Sequence, residues 1–487
     1  MDEATLRVVK IAPAPAAELH DASSPTVREP KREGDAPRPR TDAGTAAPGA
    51  PPVGDGIDFL ARLADHGAQL TQLRNERRRS LDEIEALRAE NRWEDILALF
   101  HPVEEKAPEL EAVGLANGIR AEMAFALGHL NRFEEAIQLY QVCVEAEPVS
   151  FHAHAGLAYT AYNSLYAAKT RQVMLHPAER RARIDLAHEH FLAAQRLRPE
   201  GVTNYYRQGM LFKQIQSKHD KALPLFETAV RNWRAYGEEL QKTRHQERKN
   251  YVKALYHLAS CLLETGRARQ ALDRLKDCLR EDESSSHLSA VHKFFALGKV
   301  HFQLGDYRSA IQALEAAAVQ ADPGEEDYVF ELLARAHLAL GDLSQASKAI
   351  NRIPPPRRRP YVRWTEADVL ATQGDLERAC RVLQEAADRD RRGSHKALIR
   401  LARIEFRRHH YEQALKAARR ASDFFQGQYH NPFFDGLFWQ AAALLRLGRP
   451  GEAQEHFVEL ERLQPGYPNL CKLKQLLPAN LAEPSGD

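Results

Sequence analysis

Ten times along this chain an alanine (once an isoleucine) in a helix-forming stretch is followed by an apolar residue four positions on and another three after that. The anchors are Ile96, Ala136, Ala187, Ala222, Ala271, Ala310, Ala346, Ala379, Ala414 and Ala453. Their separations run from 33 residues (Ala346 to Ala379) to 51 (Ala136 to Ala187). Steps of four and three place side chains on one face of an α-helix. A helical pattern that returns at a nearly fixed period marks a repeat array, in which each unit buries its apolar face against its neighbours. Such an array has no single closed core, and its chemistry is recognition by a surface.

The clearest unit runs from Phe295 to Pro323. Its first helix carries Leu297, Gly298 and His301, and a break follows at Gly305-Asp306. The second helix carries Tyr307, Ala310, Leu314 and Ala317, and Asp322-Pro323 closes the unit. Gly298 and Ala310 are small where two antiparallel helices touch, and proline cannot continue a helical hydrogen-bond ladder. Elsewhere Phe133, Ala136, Tyr140, Cys143 and Pro148 follow the same order, as do Ala187, Phe191, Ala194 and Pro199. Gly209 and Phe212 pair with Ala222, Phe226 and Ala229, and Gly156 and Tyr159 serve another first helix. Gly266, Gly341, Gly374 and Gly448 each stand five residues before an anchor, where the hairpin turns. Together these residues resemble the tetratricopeptide repeat, a helix–turn–helix unit of about 34 residues. The resemblance covers roughly residues 80 to 466 and implies an all-α, right-handed superhelical solenoid of about ten units. Ile96 and Trp93 in the first unit, Pro450 where an aromatic is usual, and His409 at a turn glycine depart from the pattern.

Residues 1–55 are a different material. "APRPRTDAGTAAPGAPP" and the absence of an aromatic before Phe59 leave little to bury, which predicts a disordered tail. A lead-in helix over 56–79 is expected to cap the first repeat, and a short helix over 467–480 the last. Two surpluses interrupt the array, near 163–183 and 231–250, and read as helical extensions projecting from it. "INRIPPPRRRPYVRW" is predicted to end a second helix at Ile353 and to hold an extended linker up to Trp364, with Arg357, Arg358 and Arg359 in a solvated loop.

Lys and Arg number 68 against 67 Asp and Glu, so no global field draws the chain to nucleic acid. No apolar run approaches the roughly 20 residues that span a bilayer, and the start Met1-Asp2-Glu3 has no signal core. The five cysteines, Cys143, Cys261, Cys278, Cys380 and Cys471, form no CxxC pair, which fits a reducing compartment. A cytoplasmic protein is expected. No phosphate-binding loop or HExxH occurs. The histidine pairs at 152/154, 188/190 and 409/410 have spacings that point ligands apart on a helix. No metal site, cofactor or catalytic residue is expected.

In tetratricopeptide proteins the first helices of successive units line a groove that takes partner segments. The packing positions Gly298, Ala334, Ala367, Ala402 and Ala441 set the register of the groove face. It then presents Lys299, Arg335, Tyr361, Trp364, Lys396, Arg400, Arg403, Phe438 and Trp439, with Glu331 and Asp368 among them. Some members clamp a partner's C-terminal carboxylate, and Lys396 and Arg400 match the final pair of that clamp. Glu331, Arg335 and Thr365 stand where the clamp wants lysine, asparagine and asparagine, so the clamp itself is not expected. Tyr206, Arg207, Lys253, Tyr256 and His257 mix aromatic and basic groups in the N-terminal half.

The reading is a non-enzymatic scaffold or adaptor for protein partners, through a peptide or helix with acidic or aromatic groups and without a membrane. The rivals are a regulatory subunit that clamps an enzyme and an RNA-associated helical-repeat protein.

Overall fold

The computed structural model describes residues 53–283 and 285–477. Among them are 23 α-helices and no strand, the all-α repeat architecture that the periodicity predicts. The tail expected over 1–55 lies outside the described residues up to position 52, as do residues 478–480 at the other end. Backbone contacts divide the chain after Arg267 into two compact units.

In the first unit, α1 (Val53–Ala89) leads into α2 (Trp93–Phe100), α3 (Ala107–Ala112), α4 (Ala116–His129) and α5 (Phe133–Ala146). Then come α6 (Phe151–Lys169), α7 (Pro177–Leu197), α8 (Thr203–Met210), α9 (His219–Ala235), α10 (Glu238–Thr243) and α11 (His245–Glu264). The second unit holds α12 (Ala268–Glu281), α13 (Ala290–Gln303), α14 (Tyr307–Ala318), α15 (Asp327–Ala339), α16 (Leu343–Asn351) and α17 (Pro360–Gln373). It continues with α18 (Leu376–Arg389), α19 (Ser394–Arg407), α20 (Tyr411–Tyr429), α21 (Phe434–Arg446), α22 (Pro450–Leu463) and α23 (Leu470–Gln475).

All ten anchors are at most 1 % exposed. A Cβ on Gly298 would stand 2.6 Å from Leu314 Cγ and 3.3 Å from the Ala310 carbonyl oxygen, so the α13–α14 hairpin closes only over a glycine. Leu314 beneath it is fully buried, a burial that contributes about 1.5–3 kcal/mol. Gly209 meets Phe226 in the same way inside the α8–α9 hairpin. Gly156 instead meets Tyr140 of the preceding α5, so its small size serves the packing of one hairpin on the next. Cys143, Cys261, Cys278 and Cys380 are buried and reduced, small hydrophobes in the helix seams.

The hairpin turns follow one geometry with several residue types. Gly266, Gly305, Gly341, Gly374 and Gly448 have φ of 79°, 79°, 78°, 92° and 73°. Five residues before four of the other anchors, Asn91, Asn131, Ser217 and His409 adopt φ of 57°, 60°, 55° and 62°. Asparagine tolerates this left-handed conformation better than most residues, and the His409 departure is a costlier occupant of the same turn. Asp306, Asp342 and Asp375 follow their glycines and cap the next helix, accepting from the backbone N–H of Ser309, Gln345 and Arg378 at 3.2, 3.0 and 3.1 Å.

The irregular segments differ from expectation. The first surplus is split between the end of α6 and the start of α7, and Ser164 and Leu165 within it are buried rather than projecting. The second contains Trp233, buried and stacked on Tyr251 at 5.6 Å, with the short α10 beyond it. The proline run ends α16 at Asn351 and makes one 3-10 turn over Pro355–Arg357. Pro360 then opens α17, since its missing N–H costs nothing at the first helical position. Trp364 therefore sits inside a helix and not at the end of a linker. Nor are the arginines simply solvated: Arg358 pairs with Glu366 at 2.6 Å and Arg359 with the buried Asp327 at 3.0 Å.

At the ends, α1 is one helix of 37 residues. Its later turns pack on the first repeat, with Arg77 over the Phe100 ring and paired to Glu109 at 3.0 Å, and Arg88 paired to Glu122 at 3.4 Å. Leu470 and Leu473 of α23 join Leu444, Phe457 and Leu460 in one apolar cluster.

Candidate peptide-binding site

The first helices of the second unit carry the residues that the sequence singles out, and the structure separates them into three groups. Tyr361 and Arg335 serve the chain itself. The Tyr361 hydroxyl donates to Asp327 Oδ1 at 2.5 Å, and burial pushes its phenol well above the usual range. Arg335 lies over the Phe302 ring at 5.0 Å and 3.8 Å from Glu331. Thr365 donates to Glu331 at 2.6 Å. Two of the three residues that break the clamp pattern thus satisfy each other, because a buried carboxylate needs a donor.

Phe438 and Trp439 form a second group with Phe406 and Tyr467. The Trp439 ring is edge-on to Phe406 at 5.4 Å, and Phe438 lies 5.4 Å from Tyr467. Both are partly buried against the last hairpins. The Tyr467 hydroxyl hydrogen-bonds Asp435. Lys299 lies half-buried on α13.

The third group is compact. Trp364 of α17 is buried, with Lys396 Nζ at 5.5 Å and the Arg400 guanidinium at 5.1 Å over its ring, both from α19. Two cations over one indole ring are held by its quadrupole. The Trp364 indole N–H has no acceptor among the described residues. Arg400 donates to the Lys396 carbonyl at 3.1 Å, and among the described residues its one carboxylate neighbour is Asp368, at 3.7 Å. Arg403 is exposed one turn further along the helix. Among the described residues no carboxylate stands within 4 Å of Lys396 or Arg403, so three cations of α19 share one acid. Asp368 is half-exposed, and partial burial raises its carboxyl against the lowering effect of Arg400, Arg403 and Arg335.

Sequence reasoning missed the support beneath this group. His395, next to Lys396, is buried within 5.0–5.8 Å of the rings of Phe424, Phe425, Tyr429 and Phe433. Burial, then Lys396, lowers its pKa to about 4, so the imidazole is neutral and adds no charge. A histidine among aromatic residues of a later helix and of the loop after it carries no local spacing signal. In the first unit, Arg207 lies 3.7 Å over the Tyr159 ring, and Lys213 donates to His257 Nδ1 at 2.9 Å. There the mixed residues expected on the surface are buried. His154 and His190 also meet there, Nδ1 to Nδ1 at 2.7 Å.

Tetratricopeptide repeat models match residues 253–285, 301–364, 360–385 and 436–459. The chain carries tetratricopeptide repeats, the helical units of protein-interaction scaffolds. No curated protein matches it. Among solved structures, the Cut9–Hcn1 hetero-tetramer of the APC/C is similar at 12 % identity, covering 77 % of this chain and 81 % of that one, with a TM-score of 0.41. A tetratricopeptide repeat protein from Parabacteroides merdae is similar at 14 % identity over 57 % and 98 % of the chains, TM-score 0.41. Human IFIT1, solved as a dimer with m7Gppp-AAAA, is similar at 17 % identity over 71 % and 72 %, TM-score 0.38. Among the described residues no helix is long and apolar enough to cross a membrane.

Proposed function

We propose that this chain is a non-enzymatic, cytoplasmic scaffold that holds an acidic segment of a partner protein against α17 and α19. The observation that carries the reading is the excess of cations around Trp364: Lys396 and Arg400 lie on its ring, Arg403 stands nearby, and among the described residues Asp368 is their one close acid. An unpaired cation costs nothing in water, but a ring that fixes two of them makes a preorganised anion-binding surface, and arginine can take a carboxylate with two parallel hydrogen bonds. The buried indole N–H offers a donor to a carbonyl or carboxylate oxygen of the same segment.

Panning a random dodecapeptide phage library on the full chain tests the proposal. Enriched sequences rich in Asp and Glu that no longer bind after Lys396→Glu and Arg400→Glu are expected. Selection of basic or purely apolar sequences, or binding indifferent to the charge reversal, contradicts it.

A further inference from the structure

The strongest unexplained feature of this site is an acid in the middle of it. Asp368 Oδ2 lies 3.7 Å from Arg400 Nε, and Arg403 and Arg335 are its other cationic neighbours. It projects from α17 one turn beyond Trp364, half-exposed, toward the same guanidinium that lies on the indole. If the surface served only to attract anions, a carboxylate there would be a defect.

We infer that Asp368 is an internal competitor, holding the place of the partner's carboxylate against Arg400 until the partner displaces it. This rests on the reading of α17 and α19 as an anion-binding surface. The arrangement has a physical use. A bare cluster of three cations captures any acidic surface, whereas one that must first give up an intramolecular ion pair releases weak ligands and keeps those that also satisfy the indole N–H. Arg400 is also held by its bond to the Lys396 carbonyl and by its place over the Trp364 ring, two contacts in which Asp368 takes no part. A residue that only positioned Arg400 would behave in the opposite way on removal.

The test uses the full chain and a fluorescein-labelled, amidated hexaglutamate peptide, read by anisotropy, with hexaglutamine as control. Asp368→Asn keeps the shape and removes the charge. Its Kd is expected to fall about five- to tenfold at low salt, with most of the gain lost at high salt, because screening weakens half-exposed charges. An unchanged or weaker Kd in Asp368→Asn, with wild-type binding present and an unaltered circular dichroism spectrum, overturns the competitor role and leaves the anion-binding surface standing. Asp368→Ala is the second variant, and its failure to tighten binding where Asp368→Asn succeeds would point to side-chain shape and overturn the charge argument. Absence of hexaglutamate binding in all three chains sinks the anion-binding surface and this inference together.

Discussion

Thr365 Oγ1 donates a 2.6 Å hydrogen bond to Glu331 Oε1, and the two residues stand 34 positions apart, one repeat period. Tyr361 and Asp327 are joined across the same interval at 2.5 Å. At two registers α15 thus hands an acid to a hydroxyl of the next first helix, α17. Deleting the Thr365 hydroxyl by Thr365→Val leaves the 5 %-exposed Glu331 short of a donor, which costs about 1–3 kcal/mol. Urea unfolding should show that loss. A variant as stable as the parent would mean the bond is incidental.

Glycines in this chain should answer alanine differently according to place. Gly298→Ala forces a Cβ to within 2.6 Å of Leu314 Cγ, and overpacking of this kind costs about 1–3 kcal/mol. Gly427, inside α20 with nothing within 4 Å of the added Cβ, should gain about 0.4–1 kcal/mol on the same change. Thermal melting of the pair reads both signs, and equal effects would show that the helix contacts are misplaced.

The left-handed turn predicts a stabilising substitution. His409 has φ of 62° where five other hairpins have glycine. His409→Gly removes a side-chain strain of about 1 kcal/mol, partly offset by the lost 2.7 Å contact with the Tyr411 hydroxyl. A small rise in Tm is expected, and a clear fall would mean that the Tyr411 contact outweighs the backbone.

These turns show how much the sequence could reveal. The anchors and their apolar followers were legible because helical spacing and burial coincide: each anchor touches a neighbouring helix at every return of the period. The turns were legible only where glycine filled them, since Asn91, Asn131 and Ser217 adopt the same φ without an exclusive residue type. Of the candidate site, the repeat register put Lys396, Arg400 and Trp364 toward one groove face, although the proline run before Trp364 read as a linker reaching up to it. That Tyr361 and Arg335 spend themselves on Asp327 and Glu331 was not visible, because those pairings depend on how one repeat stacks on the next. His395 was invisible for the same reason, its partners lying on α20 and just beyond it.

His395 supplies a pH dependence. An unfolded histidine takes its proton near pH 6.5, and the buried His395 resists until about 4. The unfolded chain therefore binds the proton first. The stability due to His395 is full above pH 6.5 and declines as the pH falls toward 4, reaching a loss of about 1–2 kcal/mol near pH 5. His395→Leu should flatten the decline by that amount in urea titrations at pH 7 and pH 5, and an identical pH slope in the variant would place the proton elsewhere.

The central claim is that partner segments bind along α17 and α19. Amide hydrogen exchange of the full chain, with and without an acidic peptide selected by panning, tests it most directly. Slowed exchange concentrated within residues 360–407 is predicted, with the effect abolished by Lys396→Glu and Arg400→Glu. Protection confined to residues 53–267, with 360–407 unchanged, would contradict the account.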